Sequence, residues 1–364
     1  MILWAIVFFL LPLIGCAYVG WHVWRLLPLT AFWKTVSVVM LLACFVLFVM
    51  NFVIGLDRMP MPLARIMYDV GNSSVIILLY LVMLFLLLDA ARLLHLLPAS
   101  FLKDSMLGTL CISGFMVALF CYANIHYHHK VRVPIEIDSH GKVKQAKKLV
   151  MMSDLHLGYH NGRKELARWV DLVNAEKPDD VLIAGDIIDI SVRPLLEENV
   201  AEEFKRLKAP VFACLGNHEY YSGEPRAQQF YHDAGIRLLR DSVAVIDGDL
   251  AVIGRDDRTN SRRRSLANLV AEVKNDSTPY LLLLDHQPYH LEQAEQVGIG
   301  FQFSGHTHYG QVWPLSWIED LMYECAFGPH QRGNTRYYVS SGIGIWGGKF
   351  RIGTRSEYVV ATIH

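Results

Sequence analysis

The sequence predicts an α/β domain preceded by a four-helix transmembrane region, and three observations carry that prediction. Charge is uneven: of the 69 Asp, Glu, Lys and Arg side chains, ten lie in residues 1–125 and 59 in the rest. Only the second stretch has the charge density of an ordinary soluble domain. Four apolar runs, each long enough as a helix to cross a bilayer core, fill the first stretch. Beyond about residue 131, short apolar runs alternate with amphipathic ones, the pattern of sheet covered by helices. The formal charge of −1 disfavours nucleic-acid binding, and 52% hydrophobic residues exclude a disordered chain.

The apolar runs cover residues 3–24, 35–56, 73–97 and 105–125. The first, second and fourth contain no charge in their cores. The third carries Asp89 and Arg92, three residues apart near its end, which reads either as an ion pair snorkelling to the interface or as a polar site in the bilayer. The first run lacks a positive leading segment and three further spans follow it, so it reads as a retained span. Four spans put both ends of the region on one side of the membrane. Arg58, Arg65, Lys130, Arg132, Lys142 and Lys144 flank that side, against Arg25, Lys34, Arg92 and Lys103 opposite, which favours a cytoplasmic C-terminal domain. The expected organisation is a membrane region at 1–125, a juxtamembrane linker at 126–146 and an α/β domain at 147–364. None of the six cysteines has the spacing of a disulfide framework or a thiolate metal site.

In the soluble part, strands are expected at 148–152, 181–188, 211–215, 242–246, 250–254, 280–284, near 301, at 336–340 and at 358–363. Helices are expected at 164–174, 194–207, 226–234, 265–274 and 289–297. The helix at 164–174 turns Leu166, Trp169, Val170 and Val173 to one face.

Polar residues gather at the ends of five of these strands. The series reads Asp154-Leu155-His156, Gly185-Asp186, Gly216-Asn217-His218-Glu219, Asp285-His286 and Gly305-His306-Thr307-His308. Each cluster alone has an ordinary explanation as a turn, a helix cap or a core histidine. Together they supply carboxylates, imidazoles and an amide oxygen without thiolates, the donor set that suits divalent Mn, Fe or Zn.

In order and spacing the five blocks resemble the full signature of the calcineurin-like metallophosphoesterases, over roughly residues 147–363. The stretches 304–311 and 340–344 are most similar to a branch of bacterial membrane-associated phosphodiesterases, which includes the enzyme that removes uridine monophosphate from a diacylglucosamine nucleotide. Tyr309 departs from the Gly frequent there. The resemblance implies a four-layer α-β-β-α sandwich and two divalent metal ions. It places Asp154, His156 and His308 on one ion, Asn217, His286 and His306 on the other, and Asp186 between them. A hydroxide shared by the ions would attack phosphorus in line. His218 would be the catalytic proton donor, and Glu219 would orient it from the second shell of contacts. Asp189 either supports the site residues from behind or caps a loop.

Other features keep two readings. Arg262-Arg263-Arg264 is either a solvated face or a dock for an anionic group. The segment His126-Tyr127-His128-His129-Lys130 resembles an interfacial anchor. Residues 312–323, rich in Trp and aliphatic side chains, are either core or a hydrophobic flap facing the membrane, with Trp346 and Phe350 at its rim. The expected function is hydrolysis of a phosphoester or pyrophosphate bond in an amphipathic, envelope-type substrate beside the lipid bilayer. The alternative is a catalytically silent scaffold, against which the complete ligand set argues.

Overall fold

A computed structural model describes residues 10–273 and 279–364. It divides into two compact units, one of residues 1–124 with Gly347–Lys349, the other of Ile125–Trp346 with Phe350–His364.

The first unit contains α1 (Leu11–Leu26), α2 (Ala31–Met50), α3 (Met61–Leu93) and all but the last turn of α4 (Met106–His128). Among the described residues three helices, α2, α3 and α4, are long and apolar enough to cross a membrane, where the sequence led us to expect four. The first expected span begins in residues outside the described ones, and α1 itself has 16 residues. The third expected span proves longer than its apolar run. With Pro62 in its first turn, where a missing N–H costs nothing, α3 extends over 33 residues. That is about 50 Å, well beyond a bilayer core of about 30 Å. Asp89 has more partners than Arg92 (3.4 Å). It accepts from the Tyr18 hydroxyl (2.8 Å) and lies 3.0 Å from His22 Nε2.

The second unit runs β1 (Lys130–Ile137), β2 (Lys147–Met152), α5 (Arg163–Glu176), β3 (Asp180–Ala184), α6 (Arg193–Glu197), α7 (Ala201–Phe204), β4 (Val211–Cys214), α8 (Asn217–Tyr221), α9 (Glu224–Asp233) and β5 (Arg237–Leu238). It continues through β6 (Ser242–Ile246), β7 (Leu250–Gly254), α10 (Leu266–Ala271), β8 (Tyr280–Leu284), α11 (Glu292–Val297), β9 (Phe301–Ser304), α12 (Leu315–Met322), β10 (Gly328–Arg332), β11 (Thr335–Val339) and β12 (Ser356–Ile363). Two six-stranded mixed sheets result, ordered β1-β12-β2-β3-β4-β5 and β10-β11-β9-β8-β7-β6.

Alternation along the strands builds three cores. Leu149, Met151, Leu182 and Phe212 of the first sheet pack against Val252, Leu282, Phe301 and Phe303 of the second. The other faces of the strands, such as Val150, Val181 and Ile183, bury Leu166, Trp169, Val170 and Val173 of α5 with Phe230 of α9. Ala251, Ile253, Leu281 and Leu283 cover Leu266, Leu269 and Val270 of α10 with Ala294 of α11. Strands β2, β3, β4 and β5 run parallel, as do β7, β8, β9 and β11, so the carboxyl ends of the five strands that precede the polar clusters open to common ground.

Several elements differ from expectation. The strand expected at 181–188 stops at Ala184, because Gly185 and Asp186 take left-handed φ of 77° and 50°. The helix expected at 194–207 breaks into α6 and α7 around Asn199, at φ 52°. The helix expected at 265–274 ends at Ala271, and Lys274 lies outside the described residues. Residues 126–146, read as a linker and anchor, contain β1, and Tyr127 is buried within the second unit with its hydroxyl donating to Asn161 Oδ1 at 2.8 Å.

Candidate metal centre

The turns that follow β2, β3, β4, β8 and β9 carry every expected site residue. Asp154, His156, Asp186, His306 and His308 all have φ between 45° and 74°. Non-glycine residues rarely hold that conformation, at a cost of about 1–3 kcal/mol each, and such strain gathers at functional sites. The turns interlock through their backbones. Asp154 N–H donates to the Gly185 carbonyl (3.2 Å), and His156 N–H to the Asp186 carbonyl (3.0 Å). His306 N–H donates to Asp154 Oδ1 (3.0 Å) and His218 N–H to Asp186 Oδ1 (2.9 Å). Glycine is required at two close approaches: a Cβ on Gly216 would collide with Asp186 Oδ1, and one on Gly305 with Asp154 Oδ2.

The side chains form three groups whose donor atoms lie within 4.8 Å of one another: Asp154 with His156 and His308, Asp186 with His286 and His306, and His156 with Asp189 and His218. In the first, His156 Nε2 is 2.9 Å from His308 Nε2, and His308 Nε2 is 3.5 Å from Asp154 Oδ1. In the second, His286 Nε2 is 3.1 Å from Asp186 Oδ2 without hydrogen-bond alignment. The same Asp186 oxygen is 3.6 Å from His156 Nε2, so it reaches both groups. Asn217, buried at the start of α8, presents a buried Oδ1 with no hydrogen-bond partner.

Two imidazoles have their tautomers set from behind. His286 Nδ1 is 2.7 Å from the Ala184 carbonyl, and His156 Nδ1 is 3.3 Å from Asp189 Oδ1. Donation from each Nδ1–H leaves an Nε2 lone pair facing the group, the arrangement typical of metal-binding histidines. Facing lone pairs repel unless a cation sits among them. Donor atoms held about 2.1 Å from one ion would themselves be about 3.0–3.4 Å apart. The residues present therefore fit divalent cations.

Protonation plays the cation's part at His286: burial opposes it, but the charge of Asp186 prevails and holds the imidazole well above its ordinary range. Burial pushes the Asp154 carboxyl up, only partly offset by His286. Asp186 is held well below the usual carboxylate range, because the charges of His286 and His218 outweigh its burial. Burial, helped by the charge of His286, brings His306 down to about 3. Burial also opposes protonation of His218, but Asp186 and Asp189 beside it prevail and raise it to about 9.

Of the two outer carboxylates, Asp189 takes one of its two expected parts, while Glu219 takes a part other than the one expected. The hydrogen bonds of Glu219 go to the backbone. Its carboxylate accepts from the backbone N–H of Gly216 (2.7 Å), Asp186 (3.1 Å) and Ile188 (2.9 Å), clamping the turns after β3 and β4 together. Asp189 is the residue beside His218, 3.2 Å from its Nδ1, and it is too deeply buried to be a surface cap. Sequence reading missed Arg351. Fully buried, it donates to the carbonyls of His308 (2.7 Å) and Gly344 (3.0 Å), while Gly344 N–H donates to the Asp154 carbonyl (3.0 Å). Apart from Ser356 Oγ (3.3 Å), the atoms it donates to are backbone carbonyls, so no sequence motif marks it. Two of the three clustered arginines are engaged: Arg263 pairs with Asp285 (3.1 Å) and Arg264 with Glu272 (2.5 Å).

A family model for calcineurin-like phosphoesterases matches residues 147–310. A "Transmembrane protein with metallophosphoesterase domain" from Danio rerio is 32% identical over 62% of this chain and 55% of its own, so this chain spans about half of that relative. An "Uncharacterized metallophosphoesterase" from Aquifex aeolicus is 32% identical over 59% of this chain and 84% of its own. Among solved structures, a 5'-nucleotidase precursor from Thermus thermophilus superposes with a TM-score of 0.41 at 16% identity, over 60% of this chain and 55% of that one. The chain belongs to the calcineurin-like metallophosphoesterases, a family of metal-dependent phosphoesterases whose fold generally binds two divalent metals.

Proposed function

We propose that the chain is a membrane-anchored, dinuclear-metal phosphoesterase acting on a phosphoester or pyrophosphate bond of an amphipathic, envelope-associated substrate. The observation that carries this reading is Asp186 Oδ2, within 3.1–3.6 Å of imidazole nitrogens from two separate donor groups. Asp154, His156 and His308 would hold one cation, Asn217, His286 and His306 the other, and Asp186 both. Bound there, two divalent cations supply Lewis acidity toward phosphoryl oxygens and activate water near neutral pH. His218, less exposed than most surface histidines and backed by Asp189, donates a proton to the leaving oxygen. Strain in the ligand-bearing turns pre-positions these side chains, and Glu219 and Arg351 hold the turns from outside.

Membrane anchoring is supported by α2, α3 and α4 and by relatives named as transmembrane proteins. Four spans with a cytoplasmic catalytic unit remain our reading, supported by the basic residues flanking the apolar runs. An anchored enzyme gains most from a substrate in the same membrane, because confinement raises effective concentration. The test uses purified full-length protein in detergent, stripped of metal and resupplied with manganese, iron or zinc, with bis-p-nitrophenyl phosphate and p-nitrophenyl phosphate as probes. Metal-dependent turnover is expected. Absence of both bound metal and hydrolysis would establish the scaffold instead.

A further inference from the structure

The helix α12 is built the wrong way round for a helix facing water. A surface helix normally turns its apolar stripe to the core and its polar residues outward. Here Trp317 is 60% exposed, Ile318 52%, Leu321 88% and Met322 54%, while Ser316 is buried and Glu319 is half-buried on the inward side. Trp313, itself partly exposed, meets Trp317 edge to face with ring centroids 5.2 Å apart, forming one aromatic knob. Other large apolar side chains exposed among the described residues 130–364 are Leu196, Tyr221 and Val245, each on a different element. Scattered residues of that kind are normal, but a contiguous cluster marks an interaction surface.

We propose that α12 is an interfacial helix that docks the catalytic unit onto a lipid bilayer, seating Trp317, Ile318 and Leu321 at the boundary between headgroups and acyl chains. Its composition suits that occupant. Tryptophan and leucine on one face are what monotopic helices insert, and tryptophan favours the membrane–water interface. The helix carries Glu319 and Asp320 but no basic residue, so the attraction is apolar and does not require anionic lipid. The bilayer is also within covalent reach: the apolar helix α4 ends at His128, and β1 of the catalytic fold begins at Lys130. The surface adjoins the metal centre. Only six residues separate His308 from Leu315, and the Tyr309 hydroxyl donates to Asp320 Oδ2 at 3.2 Å. Docking there would bring membrane-borne phosphate esters to the site, a consequence that rests on the proposed function. The docking itself does not.

The experiment places full-length protein, one chain per disc, in phosphatidylcholine nanodiscs containing a phospholipid with a photoreactive diazirine near its glycerol. Lipid adducts are expected on the peptide carrying residues 315–322 as well as on α2, which serves as internal control. In hydroxyl-radical footprinting of the same discs, Leu321 should react at least about tenfold more slowly than Leu196, although it is the more exposed leucine in the structure, as expected for a side chain withdrawn from water. Adducts on α2 with none on 315–322 would overturn the proposal. Protection of Leu321 without lipid adducts would overturn it in favour of a covering contact made by protein and not by lipid. Neither readout depends on turnover, so the docking can fail while the phosphoesterase reading stands, and the reverse.

Discussion

Asp189 Oδ1 lies 3.3 Å from His156 Nδ1 and 3.2 Å from His218 Nδ1, so one buried carboxylate backs both a proposed metal ligand and the proposed proton donor. Its removal should act on both. For Asp189→Ala, metal affinity should fall about 10–100-fold, the usual effect of losing the group behind a ligand histidine. Asp189→Asn, which keeps an acceptor oxygen, should lose less. Manganese titration of metal-stripped full-length protein by calorimetry reads this directly, and equal affinity in wild type and Asp189→Ala would rule the role out.

Asp186 and His218 should separate metal binding from chemistry. Asp186→Ala removes the carboxylate that reaches both donor groups, so bound metal and turnover should fall together. His218→Ala should keep its metal and lose at least about two orders of magnitude in kcat, as for a missing general acid. Elemental analysis beside steady-state kinetics checks both; normal turnover in either variant contradicts the mechanism.

Glu219 carries a structural prediction. Glu219→Ala leaves three buried N–H groups unpaired, at about 1–3 kcal/mol each. The expected loss is at least about 3 kcal/mol, or roughly 6–12 °C in Tm for a unit of this size. Glu219→Gln, retaining one acceptor oxygen, should fall between. Thermal unfolding followed by near-ultraviolet circular dichroism is the measurement, and an unchanged Tm for Glu219→Ala would sink the clamp.

Burial and the neighbouring Asp320 push the Glu319 carboxyl from 4.5 to about 7. A folded-state value above the unfolded one means that the folded protein binds the proton more tightly. The attachment of α12 is thus firmest below about pH 4.5 and weakens as pH rises to about 7. Hydrogen exchange of α12 amides, corrected for intrinsic rate, should quicken between pH 5 and 8 relative to α5. Glu319→Gln should flatten that dependence; an unaltered profile in the variant would refute it.

The proposed ligand residues stand out in the sequence because metal chemistry restricts such residues to a few side-chain types and the parallel strands deliver them at predictable places. What positions them was not. Glu219 and Arg351 work by bonding backbone atoms, which any residue supplies, so nothing in their sequence neighbourhood announces the partner. The layers of the α/β unit followed from alternation, as the burial of Leu166, Trp169, Val170 and Val173 illustrates. Strand β1 escaped notice because Pro134 argues against a strand, and such residues are tolerated at sheet edges, which is where β1 lies. Asn199 and Asp186 break their elements through left-handed backbone, a conformation that asparagine and aspartate tolerate better than most side chains but that the chain alone does not assign to them.

β12 sits between β1 and β2, pairing residue for residue from Lys130↔Ser356 to Ile137↔Ile363 on one side and with Lys147–Met151 on the other. The first two strands of the catalytic fold therefore share no ladder until a segment about 220 residues further on has been made. At a synthesis rate of about 5–20 residues per second, that is a wait of roughly 10–40 s. Throughout it both strands keep an unpaired edge, the feature through which growing chains associate wrongly. The order in which the ribosome delivers the strands thus leaves the nascent chain most vulnerable just after its membrane helices emerge, and it is the last strand that seals the fold.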